Sequence, residues 1–368
     1  MKITAAVVRQ TGAPFSIETA ELDAPREGEV LVRIVGVGLC HTDVLAREGG
    51  MRMRFPAVFG HEGAGIVEAV GVGVTKVKPG DRVVLTFGSC GHCPTCDIHE
   101  PAYCHNRVGI NYGGVRPDGS FFIHGEGGGI HAGFFAQSSF GTHALARERN
   151  VVKIRDEMPL EIAGALGCGL QTGAGAVMRS LKCPKGSSIV ILGGGSVGLA
   201  AVMGAVLQGC DPVVVIEPHE SRRDMAMALG ATHALDPRSG DIQQAFRQIL
   251  PVGAAYVLDT SGAPAAIEGV PGYLAPRGTF GFVGVPPVDR ADLKLPGTLR
   301  EVLGGGFTYR GIVEGDSDPD VFIPELVDRF LEGRFAFDRF VKTYPLKDIN
   351  RAVEDQHEGR CIKPVLIP

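Results

Sequence analysis

Residues 188–217 read SIVILGGGSVGLAAVMGAVLQGCDPVVVIE, and the order of patterns inside this stretch decides the fold. An apolar, β-branched run at 188–192 predicts a buried strand, three glycines break it, and 196–208 carry the small and apolar residues of a packed helix. A second apolar run at 213–217 predicts another strand, ending on Glu217. Gly193-Gly194-Gly195-Ser196-Val197-Gly198 fits G-x-G-x-x-G, and Glu217 follows Gly198 by 19 residues. Each position has a mechanical reason. Gly193 permits a tight turn, Gly195 lets a pyrophosphate approach the backbone, and Gly198 lets helix pack against strand. The unpaired N–H groups at the start of the helix then face the phosphates. Glu217 can accept hydrogen bonds from the adenosine ribose, and its charge opposes a 2′-phosphate, so NAD is expected over NADP. Arg222 and Arg223 follow closely. They form either a solvated helix face or a pair of cations for a 2′-phosphate.

Downstream, 256–259 and 279–285 read as further strands, which extends the motif to a parallel, doubly wound Rossmann sheet. Upstream the texture differs. Short β segments at 29–37, 65–70 and 81–86 are punctuated by Gly, Pro and Asp, as in a compact, mostly antiparallel β-barrel. The change falls near Gly169, and after about Phe307 mixed short elements return, ending in a strand-like tail at 362–367. The expected organisation is an α/β chain with a catalytic domain at 1–169, a nucleotide-binding domain at 170–307, and a segment at 308–368 that returns to the catalytic domain.

Composition bounds the function. Glycine, 53 of 368 residues, has about twice its usual share and no period, which fits many turns and close approaches and excludes a repeat protein. A net charge of −5 gives no general attraction to nucleic acid or anionic membrane. The opening MKITAAVVRQ has too short an apolar run for a secretory signal, and no window approaches the ~20 apolar residues of a membrane span. A cytoplasmic protein is expected, with its nine cysteines reduced and available for metal or catalysis.

Four of those cysteines, Cys90, Cys93, Cys96 and Cys104, fall within fifteen positions. Four thiolates close a tetrahedral shell around Zn(II), and a closed shell is structural. The common short-spacing iron–sulfur motif ends in x3-Cys-Pro, unlike the x7 found here. Other candidate ligands are scattered. Cys40 lies in GLCHTD, His61 and Glu62 in GHEGAG, and Cys168 in GCG, each flanked by small residues. Their spacing alone does not join them, since single buried Cys and His residues are commonly core.

GHEGAGIVEAVG, the four-cysteine loop, GCGLQTGAG, GGGSVG and FVGVPP, in that order, resemble the zinc-dependent medium-chain alcohol dehydrogenases over essentially the whole chain. CHTD at 40–43, FFAQSSF at 134–140 and GIVEGDSDPDVFIPELVDRFL at 311–331 are similar to the aryl (benzyl) and geraniol dehydrogenases of that family. The resemblance implies a GroES-like barrel domain and two zinc ions per chain. It makes Cys40, His61 and Cys168 the catalytic zinc ligands, the two-cysteine, one-histidine set of that family. It makes Glu62 a carboxylate able to approach the metal and Asp43 the acceptor that orients His61. It places His41 and Lys363 near the pyrophosphate, Arg222 near the ribose, Val285 at the nicotinamide, and Thr42, Met51 and Phe87 along the alcohol.

On that reading zinc lowers the pKa of an alcohol, hydride passes to the nicotinamide, and Thr42 takes the proton. Many relatives carry a relay histidine where this chain has Leu45. The proton must then leave by another route, through the cofactor ribose to water or through His41. Loss of that histidine makes the cleft more apolar and favours a benzylic or allylic alcohol and its aldehyde over ethanol. The alternatives are a dehydrogenase of S-(hydroxymethyl)glutathione, which needs cations at the cleft mouth, and a dinucleotide-binding protein without chemistry. A homodimer or homotetramer is expected by analogy with the family.

Overall fold

The computed structural model describes residues 1–290 and 292–368. The chain divides into two compact units: Met1–Cys168 with Asp318–Gly333 and Phe337–Pro368, and Gly169–Ser317 with Arg334–Ala336.

The first unit is a GroES-like half-barrel of two sheets around one core. One sheet runs in the order Ala57–Val58, Lys2–Val8, Ser16–Leu22, Ile123–Gly125, Gly128–Ile130. The other runs Val151–Lys153, Arg82–Leu85, Gly63–Val70, Glu29–Gly38, Lys363–Ile367, Val341–Pro345, with His143–Arg147 also paired to Glu29–Gly38. Buried residues of both sheets, among them Ile3, Val7, Val30, Val32, Leu85 and Phe140, form a single apolar cluster. Glu29–Gly38 is the spine of this unit. Its β-branched residues suit a strand buried on both faces, and its pairing with Gly63–Val70 shifts register at Leu31/Val32 and Ile34/Gly36, where a strand bends. The tail returns as expected. Val365 and Leu366 pair antiparallel with Gly38 and Val37, which brings Lys363 to the end of the spine.

The second unit holds a six-stranded sheet in the order His233–Leu235, Val213–Ile216, Ile189–Leu192, Ala254–Asp259, Leu274–Phe282, Thr308–Gly311. Every pairing is parallel. Ile189–Leu192 and Val213–Ile216 are buried at every position, as strands covered on both faces must be. The strand order reverses between Ile189–Leu192 and Ala254–Asp259, and in open parallel sheets the ligand crevice lies at that point. The expected passage at 307/308 precedes the sixth strand, so the sheet runs on to Gly311 and the unit to Ser317. Hydrogen bonding to Leu274–Phe282 holds that segment in the sheet. Among the described residues no helix is long and apolar enough to cross a membrane.

Candidate active site

Cys40, His61, Glu62 and Cys168 come together in the first unit, with one ligand atom from each lying within 4.8 Å of the others. Local hydrogen bonding explains how the first two are aimed. Cys40 caps the helix His41–Arg47, and Asp43, three residues on, accepts the Cys40 N–H at 3.0 Å, closing a capping box. The other oxygen of Asp43 accepts from Gly60 N at 3.0 Å and from His61 Nδ1 at 2.9 Å. With its proton fixed on Nδ1, the ring turns Nε2 toward the thiols. Phe135 stacks on the same ring, centroids 4.5 Å apart, and Phe134 meets it edge-on at 5.5 Å.

His61 Nε2 is buried and has no hydrogen-bond partner in the protein. A buried acceptor left unmet costs about 1–3 kcal/mol, so the geometry asks for a Lewis acid at that point. The charges agree. A hydrogen bond from Cys168, with His61 and Lys363 close by, holds the Cys40 thiol well below its ordinary range against its burial. Burial alone would lower the His61 imidazole, but the Asp43 carboxylate and Cys40 hold it well above the ordinary value. Two sulfurs and an imidazole nitrogen around a pocket that favours positive charge fit a Zn(II) ion.

Glu62 and Lys363 form a buried pair behind this group. The Lys363 ammonium contacts the Glu62 carboxylate and donates to Leu39 O at 3.2 Å. Burial opposes its charge, but Glu62 and Cys40 raise its pKa above the ordinary value. Burial pushes the Glu62 carboxyl up, with Lys363 acting against that shift. Lys363 therefore faces Glu62 in the interior of the unit, whereas the family likeness implies a role at the pyrophosphate. His41 is exposed, and Thr42 is half-buried with its Oγ1 3.7 Å from Cys40 Sγ. Phe87 belongs to the apolar core of the half-barrel and Met51 packs against that core. Leu45 is buried on the same helix as Thr42.

The four-cysteine loop forms a second cluster. Cys93 Sγ lies 3.5 Å from Cys96 Sγ and 3.9 Å from Cys104 Sγ. Four sulfurs at about 2.3 Å from one tetrahedral centre would be about 3.8 Å apart, so the spacing suits zinc. The Thr95 hydroxyl and the His105 N–H draw the Cys93 thiol down to about 5.

In the second unit the glycine loop has the expected mechanics. Gly193 adopts φ +100°, and a Cβ on Gly198 would lie 2.0 Å from Gly193 O. A Cβ on Gly195 would meet nothing within 4 Å, which leaves the helix N-terminus open to a phosphate. Glu217 is buried at the end of its strand, and both oxygens are already engaged, with Gly194 N at 2.6 Å and His219 N at 2.8 Å. Each oxygen keeps a lone pair for a ribose hydroxyl. Arg223 is tied to Glu217 O and Pro218 O, both at 2.8 Å, and to Asp236 at 3.3 Å. Arg222 carries a buried Nε without a partner. Val285 is half exposed beyond its strand. A phosphate cradle, a nearby acid and an unpaired guanidinium nitrogen fit a dinucleotide.

Sequence reasoning passed over Thr86, Phe135 and Gln137. FFAQSSF served only as a mark of likeness, yet Gln137, Ser138 and Ser139 are three consecutive polar residues, all buried. Polar residues between phenylalanines were the available signal.

Residues 26–156 match the family model of the alcohol dehydrogenase GroES-like domain, and residues 196–330 that of the zinc-binding dehydrogenase. With its two thiolate-rich metal groups, the chain belongs to the zinc-containing medium-chain alcohol dehydrogenase family. It is 48% identical to the geraniol dehydrogenase of Castellaniella defragrans, over 99% of this chain and 97% of that one. Among solved structures, an alcohol dehydrogenase zinc-binding domain protein from Burkholderia ambifaria superposes with a TM-score of 0.97 at 48% identity, covering 100% of this chain and 99% of that one. Benzyl alcohol dehydrogenase from Acinetobacter calcoaceticus superposes with a TM-score of 0.95 at 39% identity and the same coverage.

Proposed function

We propose that this alcohol dehydrogenase reversibly oxidises a bulky primary alcohol, allylic or benzylic, to its aldehyde, with NAD as hydride acceptor. The observation that carries the reading is the orphaned His61 Nε2, set between two thiols and walled by the rings of Phe134 and Phe135. Relatives named for geraniol and benzyl alcohol support the substrate class. Cys40, His61 and Cys168 would hold the catalytic zinc, and the four-cysteine loop a structural one. Bound zinc supplies a Lewis acid that lowers the pKa of an alcohol, and the nicotinamide supplies the hydride acceptor.

The chain's own residues do the rest. Asp43 fixes the His61 ring, and the phenylalanines exclude water. Thr42 holds the alcohol proton at Oγ1, and the exposed His41 beside it passes the proton to water, since Leu45 has no group to carry it. Glu217 opposes a 2′-phosphate, and Arg223, held by Asp236, is not available to bind one. A cytoplasmic homodimer or homotetramer is part of this reading. The test is kcat/KM with NAD and NADP for benzyl alcohol, geraniol, ethanol and S-(hydroxymethyl)glutathione. A large preference for NAD with benzyl alcohol or geraniol is expected. Preference for the glutathione adduct or for NADP would overturn the assignment of substrate or cofactor.

A further inference from the structure

The three zinc-ligand residues lie on separate segments, and buried side chains tie those segments together. Asp43 joins the first two, because it binds Cys40 N on one oxygen and Gly60 N and His61 Nδ1 on the other. Gln137 makes the corresponding link toward the third. Its Nε2 donates to His61 O at 2.9 Å and to Thr86 O at 3.1 Å, and its Oε1 accepts from Gly63 N at 3.1 Å and Ser139 Oγ at 2.6 Å. Both donors and both lone pairs of the amide are used, and the side chain is fully buried. The connection continues from Thr86, whose Oγ1 donates to Gly167 O at 2.7 Å, immediately before Cys168.

The backbone around Gln137 is unusual. Phe135, Ala136 and Ser138 have φ of 51°, 59° and 58°, a left-handed conformation that L residues adopt at a cost. Such strain persists only where neighbours over-determine it, and it gathers at functional sites. Here the ties run to the segment that carries His61. Ser138 Oγ donates to Val58 O at 2.7 Å, Ser139 N to Gly60 O at 2.8 Å, and Phe140 N to Phe59 O at 3.0 Å. The same turn presses Phe135 onto the His61 ring.

We propose that Gln137, acting through Thr86, is a positioning residue that sets the separation of His61 and Cys168, and so how tightly the pair holds the metal. This rests on the assignment of Cys40, His61 and Cys168 to zinc. An amide suits the place. A carboxylate would set its charge against two carbonyl oxygens, and an apolar side chain would take the amide from His61 O and Gly63 N and leave Thr86 O to Asn150 Nδ2.

The experiment follows zinc release from the purified, zinc-loaded protein to a chromogenic chelator, counted per chain, for the unmodified protein and for Gln137→Glu, Thr86→Val, Thr86→Ser and Phe337→Leu. Phe337 is fully buried, packs on Phe330 and lies in the same unit with no part in these ties, so its truncation controls for packing loss alone. Gln137→Glu and Thr86→Val are expected to release one of two ions roughly 10–100-fold faster, the usual effect of removing a group that orients a ligand, with the slower ion unchanged. Thr86→Ser keeps the hydroxyl and should keep the unmodified rate, and Phe337→Leu should lower thermal stability without changing release. In cobalt-substituted protein, Thr86→Val should also shift the visible spectrum. If Gln137→Glu does not fold, Thr86→Val decides alone. Two zinc ions released from Thr86→Val at the unmodified rate would overturn this inference only. A single zinc in the unmodified protein would overturn the catalytic zinc assignment, and this inference with it.

Discussion

Replacing Lys363 with methionine removes the ammonium from a carboxylate that has no access to water. Lys363 and Glu62 are both 0% exposed, and Lys363 also donates to Leu39 O. Breaking a buried pair by removing one partner costs about 3–5 kcal/mol, because the remaining charge stays buried and loses its counter-charge. Glu62 can escape part of that cost by taking up a proton, and this gives the prediction its sign. A carboxyl whose folded pKa lies above its unfolded value of about 4.3 binds a proton that the unfolded chain has lost at neutral pH. The variant's stability is therefore greatest below the unfolded pKa and falls as pH rises, by at most about 1.4 kcal/mol per pH unit, until Glu62 ionises in place. Urea unfolding of zinc-loaded protein between pH 5 and 8 measures it. The gap between Lys363→Met and the unmodified protein should widen toward pH 8. Adding Glu62→Gln to the variant should recover most of the loss at pH 8 and flatten the dependence. A penalty independent of pH, or no recovery from the second substitution, would refute the buried ion pair.

Three further outcomes follow from other parts of the structure. Gly198→Ala puts a methyl 2.0 Å from Gly193 O and 2.9 Å from Thr260 Oγ1, so the helix must move off the loop. NAD binding, followed by fluorescence titration, should weaken roughly tenfold or more, an overpacking cost of about 1–3 kcal/mol. Cys93→Ser opens the four-thiolate shell, so one of two zinc ions should be lost with a fall in melting temperature of roughly 5 °C or more. The Tyr344 hydroxyl, Arg360 and Lys342 hold the Asp355 carboxyl well below its ordinary range. Its stabilising effect is present above the unfolded value of about 3.9 and lost as pH falls toward the folded one. The difference between Asp355→Asn and the unmodified protein should accordingly be constant from pH 6 to 8 and close below about pH 4.

The parts of the fold legible in the sequence are those governed by local pattern. The helix Ser196–Gln208 falls on the run read from its residues, and Gly193 and Gly198 meet the steric demands of their motif. The tail was legible as a strand, but its pairing with Val37 and Gly38 joins residues over 300 positions apart, and no local pattern encodes that. The quartet Cys40, His61, Glu62 and Cys168 is likewise non-local, and only family likeness joined it. Gln137 and Thr86 were invisible for a different reason. Most of the groups they bond are backbone N–H and C=O, and a carbonyl oxygen leaves no mark on residue identity. Glu217 was legible in position, but its engagement by two backbone N–H groups was not.

Zinc content and turnover of Cys168→Ser, measured beside the unmodified protein, bear most directly on the metal-assisted oxidation of alcohol. Two zinc ions per chain are expected in the unmodified protein. Cys168→Ser should lose or loosen one of them, lose alcohol oxidation, and still bind NAD. Undiminished turnover in Cys168→Ser, or a single zinc confined to the four-cysteine loop of the unmodified protein, would contradict the assignment of the site.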